Sequence, residues 1–174
     1  TDVYDVLIFA RNNIKEVNIP SFIKVISANA FEQNKTIKKV CFSKDSELVL
    51  IERCAFFFSS LESITIPRHV NKISSSCFSN CDNLKEIEFV ENSELKTIKK
   101  SSFSSTSISH ISIPKSVIEI GDFCFSFCLK LKTVDFIEDS ELKILNRKLF
   151  YNSSIENFTI PSNIIEIKVS WCFY

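Results

Sequence analysis

The residues of this chain that could do chemistry are seven cysteines, two histidines and the serines around them. Cys77 and Cys81, and again Cys124 and Cys128, form CxxxC pairs. A structural zinc site needs a second ligand pair close by, and only His69 and His110 exist to complete one, so no metal is expected. Cys41 stands between Val40 and Phe42 at a position expected to face outward, where it would be the most reactive thiol. His110 has Ser109 and Ser112 beside it, with Glu86, Glu88 and Asp135 on neighbouring segments. Nucleophilic catalysis needs a base beside the nucleophile and an acid to orient that base. These residues supply the types, but no glycine-rich turn accompanies them, and equivalent positions elsewhere in the chain carry Glu, Lys or Thr. With a single glycine, Gly121, a phosphate-cradling loop is excluded. No enzyme activity and no cofactor are expected.

What positions these residues is a repeat. Pro20, Pro67, Pro114 and Pro161 recur at one interval of 47 residues, each after an isoleucine. A fixed period of tens of residues marks a stacked array. Each period splits into a first half of 23 residues, LxxIxIPxxVxxIxxxxFxxC as at Leu61, and a second half of 24, LxxIxFxxxSxLxxIxxxxFxxx as at Leu84. In LxxIxI the apolar residues alternate, which predicts a short strand buried on one face. Ile64 and Ile66, Ile87 and Phe89, Ile111 and Ile113, and Val134 and Phe136 are expected to point inward. Proline offers no amide donor and belongs at the strand end. Stacked units should pair their strands into one parallel sheet over a core of phenylalanines at positions 31, 56, 78, 103, 125 and 150. Asp45, Asn92 and Asp139 follow the second-half strands and are read as turn residues. The CxxxC pairs lie two repeats apart, about 9–10 Å at strand spacing, too far for a disulfide between them. They are expected to pack as small buried thiols.

The half-repeat LxxIxIPxxVxxIxxxxFxxC resembles the BspA-like, or Treponema-type, leucine-rich repeats, and the resemblance runs from Ile14 to the end. It implies a right-handed leucine-rich-repeat solenoid with a parallel sheet on its concave side, about seven repeats in all. It also implies a surface antigen or adhesin that engages host matrix proteins or other cells. The family's IGxxAF is kept only in part, with Gly121, Ala30 and Ala55, and Phe173 falls one place late in the last unit.

Residues 1–174 therefore read as one domain: 1–13 a partial repeat, 14–154 six repeats, 155–174 a truncated seventh, expected to begin and end inside a longer array. Lys plus Arg and Asp plus Glu number 21 each, so the basic face that nucleic acid demands is missing. No run approaches the roughly 18 apolar residues of a membrane span. Ile8 and Phe9 at one end, and Trp171, Phe173 and Tyr174 at the other, would leave uncapped edges and weak self-association. The expected binding residues are the outward ones of the concave strands: Lys38, Lys39, Glu62, Thr65, Lys85, Glu86, Glu88, His110, Ser112, Lys132 and Asp135. The face they make is basic near Lys38 and Lys39 and acidic around Glu62, Glu86 and Glu88. It carries no aromatic anchor, so the expected partner is a protein, glycoprotein or matrix ligand and not a small molecule. Sequons at Asn34, Asn152 and Asn157 are compatible with export. The expected location is a cell surface or the exterior, the alternative being a cytoplasmic scaffold with reduced thiols.

Overall fold

The computed structural model describes Val6, Leu7 and residues 13–168, as a parallel β-solenoid of about seven turns with no helix. Each repeat makes one longer and one shorter strand. The longer strands are β2 (Glu16–Ile19), β4 (Lys39–Phe42), β6 (Ser63–Ile66), β8 (Glu86–Phe89), β10 (His110–Ile113) and β12 (Thr133–Phe136), with β14 (Asn157–Phe158) continuing their row with two residues. The shorter ones are β1 (Val6–Leu7), β3 (Val25–Ile26), β5 (Leu50–Ile51), β7 (Lys72–Ile73), β9 (Thr97–Ile98), β11 (Glu119–Ile120), β13 (Ile144–Leu145) and β15 (Glu166–Ile167). All ladders are parallel. The expectation of one sheet is corrected: the shorter strands pair into a second side of their own, β1-β3-β5-β7-β9-β11 and β13-β15. Two residues per strand is too short a run for alternation to show in a sequence.

The third side is a turn built around the ladder phenylalanine. The residues two before and two after it take left-handed backbone, as at Asn29 and Gln33 around Phe31, or Phe123 and Phe127 around Phe125. This alternation aims three amides of each turn at the next repeat: Phe31 N donates to Ala55 O at 2.7 Å, with Asn29 and Gln33 donating to Arg53 O and Phe57 O on either side. The backbone is thus satisfied by the neighbouring turn in place of a helix. Inside, Phe31, Phe56, Phe78, Phe103, Phe125 and Phe150 stack with centroids 4.7–5.8 Å apart and planes within 14° of parallel. The Ser-Glu-Leu marker has its own job, since the hydroxyls of Ser46, Ser93 and Ser140 accept the amides of Leu48, Leu95 and Leu142 at 3.3–3.4 Å. Asn92 and Asp139 hold left-handed turns, and Asp45 instead keeps its carboxyl below the usual range through Ser43.

Gly121 is needed for closeness, not for its φ, which is not positive. A Cβ there would lie 2.4 Å from Lys100 N and 2.7 Å from Lys99 C, both backbone of the preceding repeat. Ser27, Glu52, Ser74, Lys99 and Asn146 stand at the equivalent place after their short strands, so the tight approach is local to this turn. Gly121→Ala should push β9 and β11 apart and cost about 1–3 kcal/mol, the usual price of overpacking. A urea midpoint unchanged from the parent would contradict this. The terminal apolar residues Ile8, Phe9, Trp171, Phe173 and Tyr174, on which self-association was expected, lie outside the described residues.

Candidate binding face

The longer strands set the face. The first and third residues of each strand turn outward and the second and fourth inward, so register fixes which outward side chains meet. Lys39 stands beside Glu16 and Ser63, Glu86 beside Ser63, and His110 beside Thr133. All eleven expected residues lie on this outward surface, and ten are exposed, Lys38 being half-buried. Several are already paired across strands. Lys38 Nζ is 2.8 Å from Glu62 Oε1 and holds that carboxyl below its ordinary range. Thr65 Oγ1 donates to Glu88 at 3.2 Å, and Lys132 pairs with Glu156. Such exposed pairs contribute little to stability, but they neutralise part of the basic end expected at Lys38. The positive charge left there is carried by Lys39.

His110 does meet its expected neighbours. Ser112 Oγ lies 3.3 Å from Nε2, Thr133 Oγ1 2.8 Å and Asp135 Oδ2 3.7 Å from Nδ1. Thr133 holds the nitrogen that an orienting acid would need, and the His110 side chain is 50% exposed. A strand also keeps its amides in the plane of the sheet, not aimed at the face that carries Ser112, so no oxyanion site forms. At Cys41 burial and the Glu16 carboxylate, 3.1 Å from its sulfur, push the pKa up.

The thiols described are all free. Cys77 and Cys124 occupy the place held by Ala30, Ala55 and Ser102 in other turns. Cys81 and Cys128 share theirs with Ser59, Thr106 and Ser153, and donate to Phe56 O and Phe103 O at 2.9 and 3.0 Å. Among the described residues no three metal-ligating side chains converge. Among the described residues no helix is long and apolar enough to cross a membrane. Asn34 is buried, and its Oδ1 accepts from the Thr36 and Ile37 amides and the Thr36 hydroxyl. It is a capping residue closed to glycan in the folded chain. Asn152 and Asn157 are exposed.

Sequence reasoning missed a set of recesses. Ladders from a first half into a second, β2-β4, β6-β8 and β10-β12, hold four residue pairs. From a second half into the next first half the pairing is weaker: two pairs for β4-β6 and β12-β14, and no ladder between β8 and β10. The loops that follow the two kinds of strand also differ: six positions separate Phe42 from Leu48, against four from Ile66 to Val70. A recess of about 470 Å³ opens between Phe42 and Pro67, one of about 550 Å³ between Phe89 and Pro114, and one of about 580 Å³ between Phe136 and Pro161. Phe89 and Phe136 pack against the core as expected, and each is only half-buried because it also lines a recess.

Comparison with known proteins agrees with this architecture. The BspA type leucine-rich repeat region matches residues 5–110 and 49–174, in six copies. The pneumococcal vaccine antigen PcpA superposes with a TM-score of 0.70 at 36% identity over 72% of this chain and 31% of its own. A leucine-rich repeat protein of Eubacterium ventriosum gives 0.80 at 21% identity, over 95% of this chain and 45% of its own. The leucine-rich repeat protein of T. pallidum gives 0.78 at 23%, over 96% and 76%. No curated protein matches significantly. The chain spans 31% and 45% of the first two of these structures. With the repeat signature, the double-sided solenoid and the family match in agreement, the chain belongs to the BspA-type leucine-rich repeat family.

Proposed function

We propose that this chain is a non-catalytic protein-binding module of a cell-surface or secreted adhesin or antigen, one repeat domain of a longer array. The observation that carries the reading is the outward row of the longer strands. In it Lys39, Ser63 and Glu86 share one register on the β2-β8 side, and His110 with Thr133 and Ser112 with Asp135 stand side by side on the β10-β14 side. Solenoids bind along such extended surfaces. The likeness to a vaccine antigen supports an exterior location. A stiff face loses little entropy on binding, which favours a partner protein over a small ligand.

Antibody labelling of intact source cells, against permeabilised controls, tests the location. Signal on intact cells is expected; signal only after permeabilisation would make the chain an intracellular scaffold. Binding is tested by flow cytometry of the labelled protein on intact epithelial cells. The variant Lys38→Glu with Lys39→Glu should bind about three- to tenfold more weakly, because each lost rim contact removes up to about 1 kcal/mol. Unchanged binding would remove this end of the face from the contact.

A further inference from the structure

The three recesses suggest what kind of partner segment the face takes. They recur once per 47 residues, hence once per two strands. At 4.7–4.9 Å per laddered strand their separation is at least about 9.5 Å, since both intervals include part of the unladdered β8-β10 step. A polyproline-II segment repeats every three residues with a rise of about 3.1 Å each, which brings every third side chain to one side at about 9.3 Å. A β-strand fails this match, since residues three apart point to opposite sides. The walls suit such a ligand, each recess setting an aromatic ring against a proline: Phe42 with Pro67, Phe89 with Pro114, Phe136 with Pro161. Aromatic-lined grooves are a general solution for binding this low-entropy conformation.

Charge sets the polarity. The first recess is lined by Lys39, Lys44 and Arg68 against Glu91, a balance of three minus one, or +2. The second has Lys115 against Glu88 and Glu91, which is −1. The third has Asp135, Glu138 and Asp139 and no cation, which is −3. From these observations we propose that the recesses together bind one extended polyproline-II segment of a partner protein. It carries an apolar side chain at every third position, acidic residues over the β4 end and basic residues over the β14 end. The proposal rests on the protein-binding reading of this face and narrows it to a class of sequence.

A displayed library of random twelve-residue peptides, selected on the whole chain at low salt, tests it. Enriched peptides should carry apolar residues at i, i+3 and i+6 with opposite charges at their two ends. The best of them, synthesised, should show a polyproline-II circular dichroism spectrum. Its affinity should fall about tenfold in the variant Lys39→Glu, Arg68→Glu, Asp135→Lys, Glu138→Lys, as four exposed charge contacts imply. Circular dichroism of that variant checks that it is folded. Val90→Trp, placed where the first and second recesses meet, should reduce binding without changing charge. No enrichment, enrichment without the three-residue period, or affinity indifferent to both variants would overturn the recess proposal. The wider reading fails separately, through the cell-binding assay with Lys38→Glu and Lys39→Glu.

Discussion

Phe78→Ala should lower the unfolding free energy by about 3–5 kcal/mol, the range for removing a fully buried ring from a packed core. Phe78 is 0% exposed and sits between Phe56 at 5.1 Å and Phe103 at 5.5 Å. The shape of the stack sharpens the expectation. Phe78 is stacked on both faces inside the core cluster, so its removal opens a void in the middle of the column. The turn resists collapse into it, because Phe78 N is already bonded to Ser102 O at 2.8 Å and Phe56 N to Cys77 O at the same distance. In a repeat array, stability is a sum of repeat and neighbour terms, and a break in the middle uncouples two shorter pieces. Urea unfolding followed by far-ultraviolet circular dichroism should therefore broaden as well as shift. Phe78→Leu, which refills most of the void, should recover more than half of the loss. A shift below about 1 kcal/mol for the alanine variant would mean that the ring column is not what holds neighbouring turns together.

This column was legible in the sequence because its signal is repeated: the phenylalanines recur in a register that no local effect can imitate. The longer strands were legible for the same reason, as alternation over four residues carries one bit of facing per residue. Lys72–Ile73 and its counterparts were not, because a two-residue strand has no period, and its existence depends on the neighbour it pairs with. The outward residues of the face followed from the strand alternation. Their pairing did not: that Glu62 neutralises Lys38, or that Thr133 takes the nitrogen of His110 nearest Asp135, depends on rotamers across strands. The recesses lie between these cases. The loops beside them, six positions after Phe42 against four after Ile66, are a count available from the letters alone. What the count does not show is that the ladder from β8 to β10 gives way while the one from β6 to β8 holds. Asn34 teaches the converse, since a motif readable as a glycan acceptor is closed by three hydrogen bonds that only the folded turn creates.

The buried thiols give the fold an expected alkaline weakness. Cys77, Cys81, Cys124 and Cys128 all have their pKa pushed up, chiefly by burial, with Cys81 at about 11 against an ordinary 9.0. Burial acts on the thiolate, which has no water to solvate it, while the thiol keeps a good partner, as in Cys81 to Phe56 O. Below pH 9 the thiols are protonated in both the folded and the unfolded chain, and stability is fully present. Above pH 9 the unfolded chain releases these protons and the native chain retains them, so stability falls until the folded pKa is reached. All four thiols act in the same direction, so their losses add as the pH rises above 9. Lysine and tyrosine titrate nearby, so the informative quantity is a difference between variants. The turns supply suitable replacements, since Ala30 and Ala55 already fill the first cysteine position and Ser59 and Ser153 the second. The variant Cys77→Ala, Cys124→Ala, Cys81→Ser, Cys128→Ser should lose most of the drop in urea midpoint between pH 8 and pH 10, measured with reductant throughout. Equal slopes for parent and variant would mean that water reaches these thiols, and that the small-residue column beside the phenylalanines is open and not sealed.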